Sequence, residues 1–167
     1  NIKFNDLPIP LACVATDINS GEEVIINQGS VLEGVRASIS IPALFTVVKW
    51  EGRYLVDGGL VNPVPVSTLN QMGADFIIAV IVIPDISDRV QRTEELKQPN
   101  IFSVMMQSIY IATYSMVKTS LEGGDIVIEP QVASIGFGDF HRAQECILQG
   151  EVATQRSILE IKRQLNA

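Results

Sequence analysis

Histidine and cysteine are scarce in this sequence, which limits the chemistry that it can carry out alone. The 167 residues contain one histidine, His141, and two cysteines, Cys13 and Cys146, which form no C-x-x-C pair. A zinc site needs several such ligands at short spacing, so we predict neither a metal site nor a cofactor. His141 precedes a helical pattern, which favours a capping or surface role over a place in a Ser-His-Asp triad. The cysteine usage favours a reduced intracellular protein, and a disulfide remains open.

The glycine-rich motifs of phosphate-binding and serine-nucleophile turns are also lacking. Neither a P-loop nor a G-x-G-x-x-G string occurs. The string nearest to a G-x-S-x-G elbow is Val132 to Gly136, which has Val where the first glycine should stand. A side chain at that position would crowd the tight turn that exposes the serine. We therefore do not expect Ser134 to act as a nucleophile, and we predict no nucleophile in this chain.

Positive charge and long apolar runs are limited as well. Twelve Lys and Arg residues stand against nineteen Asp and Glu, a net charge of −7, which argues against a nucleic-acid partner. The apolar run Phe76–Pro84 is too short to span a bilayer, and the polar residues within Ile101–Leu121 favour a buried or interfacial helix. Residues 1–6 show no signal-peptide pattern, and the lack of an initiator Met indicates a piece of a longer protein. We expect a cytoplasmic location, with peripheral membrane contact left open.

The order of apolar patterns predicts one α/β domain over residues 1–167 with a mixed sheet covered on both faces. The apolar, β-branched run Phe76–Ile83 should be a central, parallel strand. Asp85–Asn100 is charged and aperiodic, which predicts a mobile surface loop. Ser30 and Glu33 have the capping-box spacing at the start of the first helix. The other predicted strands are Leu11–Ala15, Glu22–Asn27, Thr46–Trp50, Arg53–Val56 and Asp125–Glu129, and the predicted helices are Val31–Ser38, Pro65–Met72, Ile101–Glu122 and Arg142–Leu165.

The segment Val56–Pro65 is the strongest candidate for chemistry. Asp57 follows an apolar strand, and a carboxylate at a strand end lies at the sheet edge where α/β enzymes usually keep their sites. Gly58 and Gly59 then permit a sharp turn and a close approach by another group. The alternative is an ordinary strand-to-helix turn in which Asp57 is a solvated cap.

Several blocks in fixed order resemble the bacterial patatin-like phospholipases. The similarity begins near Leu7 and extends to the final helix. The Arg-Ala-Ser…Ile-Pro…Phe block and the Asp-Gly-Gly turn are specific in combination. The matching blocks are Leu7–Pro10 with Ala15–Asp17, Gly34–Phe45, Leu55–Pro65, Gly73–Asp75 and Asp139–Ala143.

This resemblance implies a three-layer α/β/α fold with a mixed, largely parallel sheet. The glycine-rich oxyanion loop and the G-x-S-x-G serine of the family precede the matched region, and this chain has neither. The resemblance therefore implies the C-terminal part of a catalytic domain, with its sheet incomplete at the N-terminal side. The missing N-terminal half of the domain would then be a partner of this chain.

The resemblance also implies a serine acyl hydrolase that cleaves ester bonds of lipids with a Ser-Asp dyad. The Asp of the dyad corresponds to Asp57, and the serine would lie outside this chain. Gly58, Gly59 and Asn62 would shape and hold the turn. Two further residues stay open: Arg36 either pairs with a carboxylate or carbonyl or is a solvated helix residue, and Asp17 either faces the same cleft or caps a turn.

Two alternatives come from other classes of protein. The first is a non-catalytic module that keeps the fold for binding or assembly, which the absent serine would suit. The second is a glycosidase that uses Asp17 and Asp57, although two acids at strand ends are its only support. If a strand of the sheet is missing, the apolar surface laid bare predicts a homo-oligomer.

Overall fold

The computed structural model describes residues 2–83, 85, 100–136 and 138–166. The predicted loop Asp85–Asn100 lies outside the described residues except for its two ends. Strands and helices alternate along the chain, which confirms the α/β class. They are β1 (Cys13–Asp17), β2 (Glu23–Ile26), α1 (Val31–Ser38), β3 (Val48–Trp50), β4 (Arg53–Asp57), α2 (Val66–Gln71), β5 (Ile78–Val80), α3 (Ile101–Ser120), β6 (Ile126–Ile128) and α4 (Ala143–Leu165), with 3-10 turns at Phe4–Asp6, Gly58–Leu60 and Phe140–Arg142.

The first sheet has four antiparallel strands in the order β2-β1-β4-β3. β1 is buried at all five positions because it pairs with β2 on one side and β4 on the other. The turn between β3 and β4 has positive φ angles at both Glu51 (46°) and Gly52 (82°), as a two-residue hairpin of type I′ requires. This sheet places Asp57 at the end of β4, opposite Ala15 of β1.

The second sheet corrects the expected strand directions. β5 and β6 are parallel, as predicted for Phe76–Ile83, but they form the only parallel pair among the described strands. β5 pairs with a single described strand, so it is not central there. The sheet was expected to be largely parallel, whereas the four-stranded sheet is antiparallel. The reason is that short turns join β1 to β2 and β3 to β4, and connections of that length require antiparallel strands.

The described residues form two apolar core clusters. The first joins β1, β2, β4 and α1 through Ala15, Ile26, Leu55 and Ala37, with Phe4 packed beside them. The second joins α2, β5 and α3 through residues that include Val66, Ala79 and Val117. The 3-10 turn Gly58–Leu60 contacts β1, α1 and α3, so it links the first sheet to the helix of the second core.

The start of α1 corrects a local prediction. Ser30 occupies the N-cap position, but its side chain makes no capping hydrogen bond, and its Oγ is buried without a partner among the described residues. The N-terminal segment lies over this helix end, where the N–H of Val31 donates to the carbonyl of Ile2 at 3.1 Å. The predicted capping box is therefore not formed by Ser30, and the first N–H of the helix is bound by a carbonyl from the N-terminal segment.

Candidate active site

Close backbone packing explains the glycine that follows Asp57. A Cβ atom on Gly58 would lie 2.2 Å from the carbonyl oxygen of Val14 in β1, far inside the contact distance of real Cβ atoms. A Cβ atom on Gly59 would lie 2.9 Å from Oδ1 of Asp57 and 3.7 Å from Cγ2 of Thr113 on α3. The chain therefore leaves β4 through a gap that only a residue without a side chain fits at position 58.

Three hydrogen bonds hold Asp57 in place. Its N–H donates to the carbonyl of Ser40 at 2.9 Å, and its carbonyl accepts from Oγ1 of Thr16 at 2.8 Å. Its Oδ1 accepts from the N–H of Gly59 at 2.7 Å. Burial raises the pKa of the Asp57 carboxyl, and the Gly59 hydrogen bond opposes this shift only in part. The side chain is thus a fixed carboxylate with increased basicity.

Asp57 lies in the wall of a cavity of about 400 Å3. β1 and the residue before it, Ala12, form one side of the cavity. The turn after β4 forms the second side, and α3 forms the third. The lining is predominantly apolar, and it includes Ala12, Cys13, Val14, Ile41, Pro42, Leu60, Pro63, Ile83, Ile109 and Tyr110. A carboxylate in an apolar cavity of this size has the composition of a small-molecule site, in which few polar groups orient an apolar ligand.

Asn62 is the second polar side chain from the Asp57 turn that lines this cavity. Its Nδ2 donates to Oε1 of Glu23 at 2.8 Å and to Oγ of Ser67 at 3.1 Å. These bonds connect the turn to β2 and to α2. The structure therefore brings Asn62 together with Asp57, Gly58 and Gly59.

Arg36 and Asp17 lie away from the cavity lining. Arg36 is exposed and donates to Oγ1 of Thr46 at 3.0 Å. Asp17 is buried, accepts the N–H of Asn19 at 3.0 Å, and lies 3.7 Å from the guanidinium of Arg53. Since Asp17 is neither a wall of the cavity nor bonded to Asp57, the geometry offers no shared site for the two carboxylates.

The remaining candidates lie elsewhere in the described chain. Ser134 is exposed and is contacted by Arg142, which donates to the Ser134 carbonyl at 2.6 Å. His141 is exposed in a 3-10 turn. Both cysteines are free thiols, and burial raises the pKa of Cys13, which lines the cavity. The described residues contain no cluster of metal-ligating side chains and no helix that is long and apolar enough to cross a membrane.

The wall that α3 contributes was missed by the sequence analysis. Ile109, Tyr110 and Thr113 recur at helical spacing and line the same cavity as the Asp57 turn. They do not stand out in the sequence, because this helix of 20 residues carries no charge before Lys118. The ring of Tyr110 stacks on Tyr114, with ring centroids 6.4 Å apart. The hydroxyl of Tyr114 donates to Asp85, which raises the pKa of Tyr114 to about 12.

Part of this chain is similar to a known protein family. Residues 1–70, which include the Asp57 turn, match the model of the patatin-like phospholipase family. An uncharacterized NTE family protein of Mycobacterium tuberculosis is 38% identical over 79 residues, which are 47% of this chain and 22% of that protein. A second uncharacterized NTE family protein of the same species is 24% identical over 176 residues, covering 95% of this chain and 30% of that protein.

A fungal relative is also similar over most of this chain. The lysophospholipase NTE1 of Scheffersomyces stipitis is 24% identical over 166 residues, 86% of this chain and 10% of the fungal protein. The chain thus spans less than a third of the length of each of these curated relatives. The family match over residues 1–70 and these relatives confirm the resemblance found in the sequence.

Proposed function

We propose that this chain carries the general base, Asp57, of a lipid acyl hydrolase whose nucleophilic serine lies outside the chain. The observation that supports this most directly is the environment of Asp57. One carboxylate oxygen accepts from Gly59, while Oδ2 has no hydrogen-bond partner among the described residues. That carboxylate lies in an apolar cavity, and its pKa is raised by burial. A free, basic carboxylate oxygen beside an apolar cavity suits the activation of a hydroxyl that attacks a fatty acyl ester.

The proposed reaction has two stages, acylation of the serine and hydrolysis of the acyl-serine. Asp57 accepts the proton of the serine hydroxyl while the serine oxygen bonds to the ester carbonyl carbon. The protonated Asp57 then gives the proton to the leaving alcohol as the ester C–O bond breaks. Asp57 then takes a proton from water as the water oxygen bonds to the acyl carbon. The bond to the serine oxygen breaks, Asp57 returns the proton to that oxygen, and the fatty acid is released. Oxyanion donors are required as well, and they would come from the same part of the protein as the serine.

A groove beside β5 supports a partner from the rest of the domain. The carbonyl of Ile77 accepts from the N–H of Ile126, and the N–H of Ile81 donates to the carbonyl of Ile128. Successive residues of a strand direct their backbone groups to opposite sides, so the N–H and carbonyl of Ile78 point away from β6. No described strand pairs with that edge of β5, which we call its free edge, and a groove of about 270 Å3 lies between β5 and residues 10–12, which precede β1. We propose that the N-terminal half of the domain fills this groove with an extended segment.

On this proposal, the 167-residue chain alone is expected to show no esterase activity, because the base lacks its nucleophile and oxyanion donors. The measurement combines a chromogenic short-chain ester with a serine-reactive fluorophosphonate probe, each applied to the isolated chain. The protein that also contains the residues encoded upstream of Asn1 is the positive control. Covalent labelling of any serine of the isolated chain, Ser134 above all, would contradict the proposal.

The free edge of β5 also predicts self-association of the isolated chain. Its side chains are unusually accessible, with Ile78 41% and Val80 50% exposed. Light scattering at micromolar concentration should detect dimers or larger species, and Val80→Lys should reduce them because a charge on an edge strand opposes pairing. Leu32→Lys is the matched control, since Leu32 is 70% exposed but lies on α1. A monomeric wild-type chain would rule out an association-prone edge.

The gene itself separates this proposal from a non-catalytic binding or assembly module. A glycine-rich loop and a G-x-S-x-G string encoded upstream of Asn1 would support the hydrolase. A start codon directly before Asn1 would support the module, because Asp57 would then have no serine to activate.

A further inference from the structure

A further cavity shares Asn62 with the cavity of Asp57 and has a more polar lining. It measures about 500 Å3 and lies between the Asn62 turn and the C-terminal part of α3. Four of its eight lining residues carry hydroxyl groups, and Glu122 adds a carboxylate. The residues with polar side chains are Asn62, Ser67, Ser115, Thr119, Ser120 and Glu122. We call this cavity the hydroxyl groove.

Asn62 joins the hydroxyl groove to the apolar cavity, because it lines both. α3 does the same along its length: Thr113 lines the apolar cavity, and the next turns line the groove from Ser115 to Ser120. At 1.5 Å of rise per residue, Thr113 and Thr119 lie about 9 Å apart along the helix. That is a distance which an ester and a small polar group of one amphipathic molecule can span.

We propose that the hydroxyl groove binds the head group of the ester substrate, and that this head group is uncharged and hydroxylated, as in a glyceryl ester. The proposal rests on the proposed function, because it assigns the acyl chain to the apolar cavity and the ester to Asp57. Hydroxyl and amide groups both donate and accept, so they match the hydroxyls of a glyceryl head. Glu122 lines the groove, and Glu23 is bonded to Asn62 nearby.

The two carboxylates set the charge preference. A negatively charged head group in the groove would meet Glu122 and, beyond Asn62, Glu23, and like charges at short range repel. A neutral head group avoids this repulsion and keeps the hydrogen bonds. The hydroxyls of Thr119 and Ser120 make no hydrogen bond within the described chain, whereas Oγ of Ser115 donates to the carbonyl of Ala112 at 2.7 Å. Thr119 and Ser120 are therefore the side chains expected to contact the head group.

The test compares three esters of the same fatty acid with the full-length protein that contains this chain. They are a monoacylglycerol, a lysophosphatidic acid and a p-nitrophenyl ester, which lacks the head group. We expect Thr119→Val to lower kcat/KM for the monoacylglycerol by about 3- to 10-fold, the effect of one lost hydrogen bond. The p-nitrophenyl ester should be hydrolysed at an unchanged rate. Ser108→Ala is the control, because Ser108 lies on α3 outside the groove and donates to the Val104 carbonyl.

A second variant tests the charge preference. Glu122→Gln should raise kcat/KM for the lysophosphatidic acid relative to the monoacylglycerol. The inference is overturned if Thr119→Val affects all three esters equally or none of them, or if the wild-type protein prefers the anionic ester. A wrong proposed function would give a different result from a wrong head-group assignment. In that case Asp57→Asn would still hydrolyse the p-nitrophenyl ester, whatever the head-group preference.

Discussion

Replacing Asp57 with Asn in the full-length protein is expected to lower kcat/KM for a short-chain ester by about 10²- to 10⁴-fold. An amide has nearly the shape of the carboxylate and can still accept the hydrogen bond from Gly59, but it is a poor base. The turn after β4 should therefore persist while proton transfer fails. Steady-state kinetics with a p-nitrophenyl ester measure the effect, and a near wild-type rate would show that Asp57 is not the base.

The same substitution should stabilise the fold at neutral pH, which distinguishes lost chemistry from lost structure. Burial raises the pKa of Asp57, so its charged form is disfavoured in the folded state. That penalty is fully present above the raised pKa, and it disappears as pH falls below the pKa of the unfolded chain. Each unit of difference corresponds to about 1.4 kcal/mol. Asp57→Asn should thus raise Tm at pH 7 and leave it nearly unchanged at strongly acidic pH.

A pH profile of the wild-type protein gives an independent reading. The base must be ionised, so kcat/KM should decline as pH falls through the pKa of Asp57. Because that pKa is raised, the decline should begin at a higher pH than for an ordinary carboxyl. Asn62→Asp should raise it further, since a second carboxylate lining the same cavity would disfavour ionisation of the first.

The sequence predicted most elements because their signals are local. Gly73 has φ 85° just after α2, as its C-cap position predicts, and the strand before Asp57 ends at the predicted turn. Such features depend on backbone conformations that neighbouring residues specify. The predicted Ser30 capping box does not form, whereas the helix start makes a non-local contact that its spacing did not predict, with the carbonyl of Ile2. Contacts between residues that are distant in the sequence cannot be predicted from local spacing.

The candidate site shows the same division. Asp57 and its glycines stand in one contiguous string, so the turn was predicted from the sequence. The α3 wall lies more than 50 residues further along the chain. Its sequence carries no charge before Lys118, and nothing in it marks Tyr110 or Thr113 as neighbours of Asp57. Strand pairing is similarly non-local, which explains why the direction of β1 and β4 relative to each other could not be deduced from their apolar patterns.

Gly58→Ala is expected to destabilise the fold by about 3 kcal/mol or more, because the new methyl group would overlap a backbone carbonyl rather than a flexible side chain. The obstructing atom is the carbonyl oxygen of Val14, and Val14 lies in β1, which is paired on both sides. Neither strand can shift without breaking the ladder that positions Asp57. Urea unfolding of this chain and its variant measures the loss.

Gly150→Ala is the matched control for this substitution. Gly150 lies within α4, and a Cβ there would meet nothing within 4 Å. Alanine is favoured over glycine in a helix interior, so Gly150→Ala should stabilise the chain by about 0.5–1 kcal/mol. Unfolding of Gly58→Ala at the same urea concentration as the wild type would contradict the close packing of β1 against the Asp57 turn. It would also contradict the shape of the cavity, which depends on that packing.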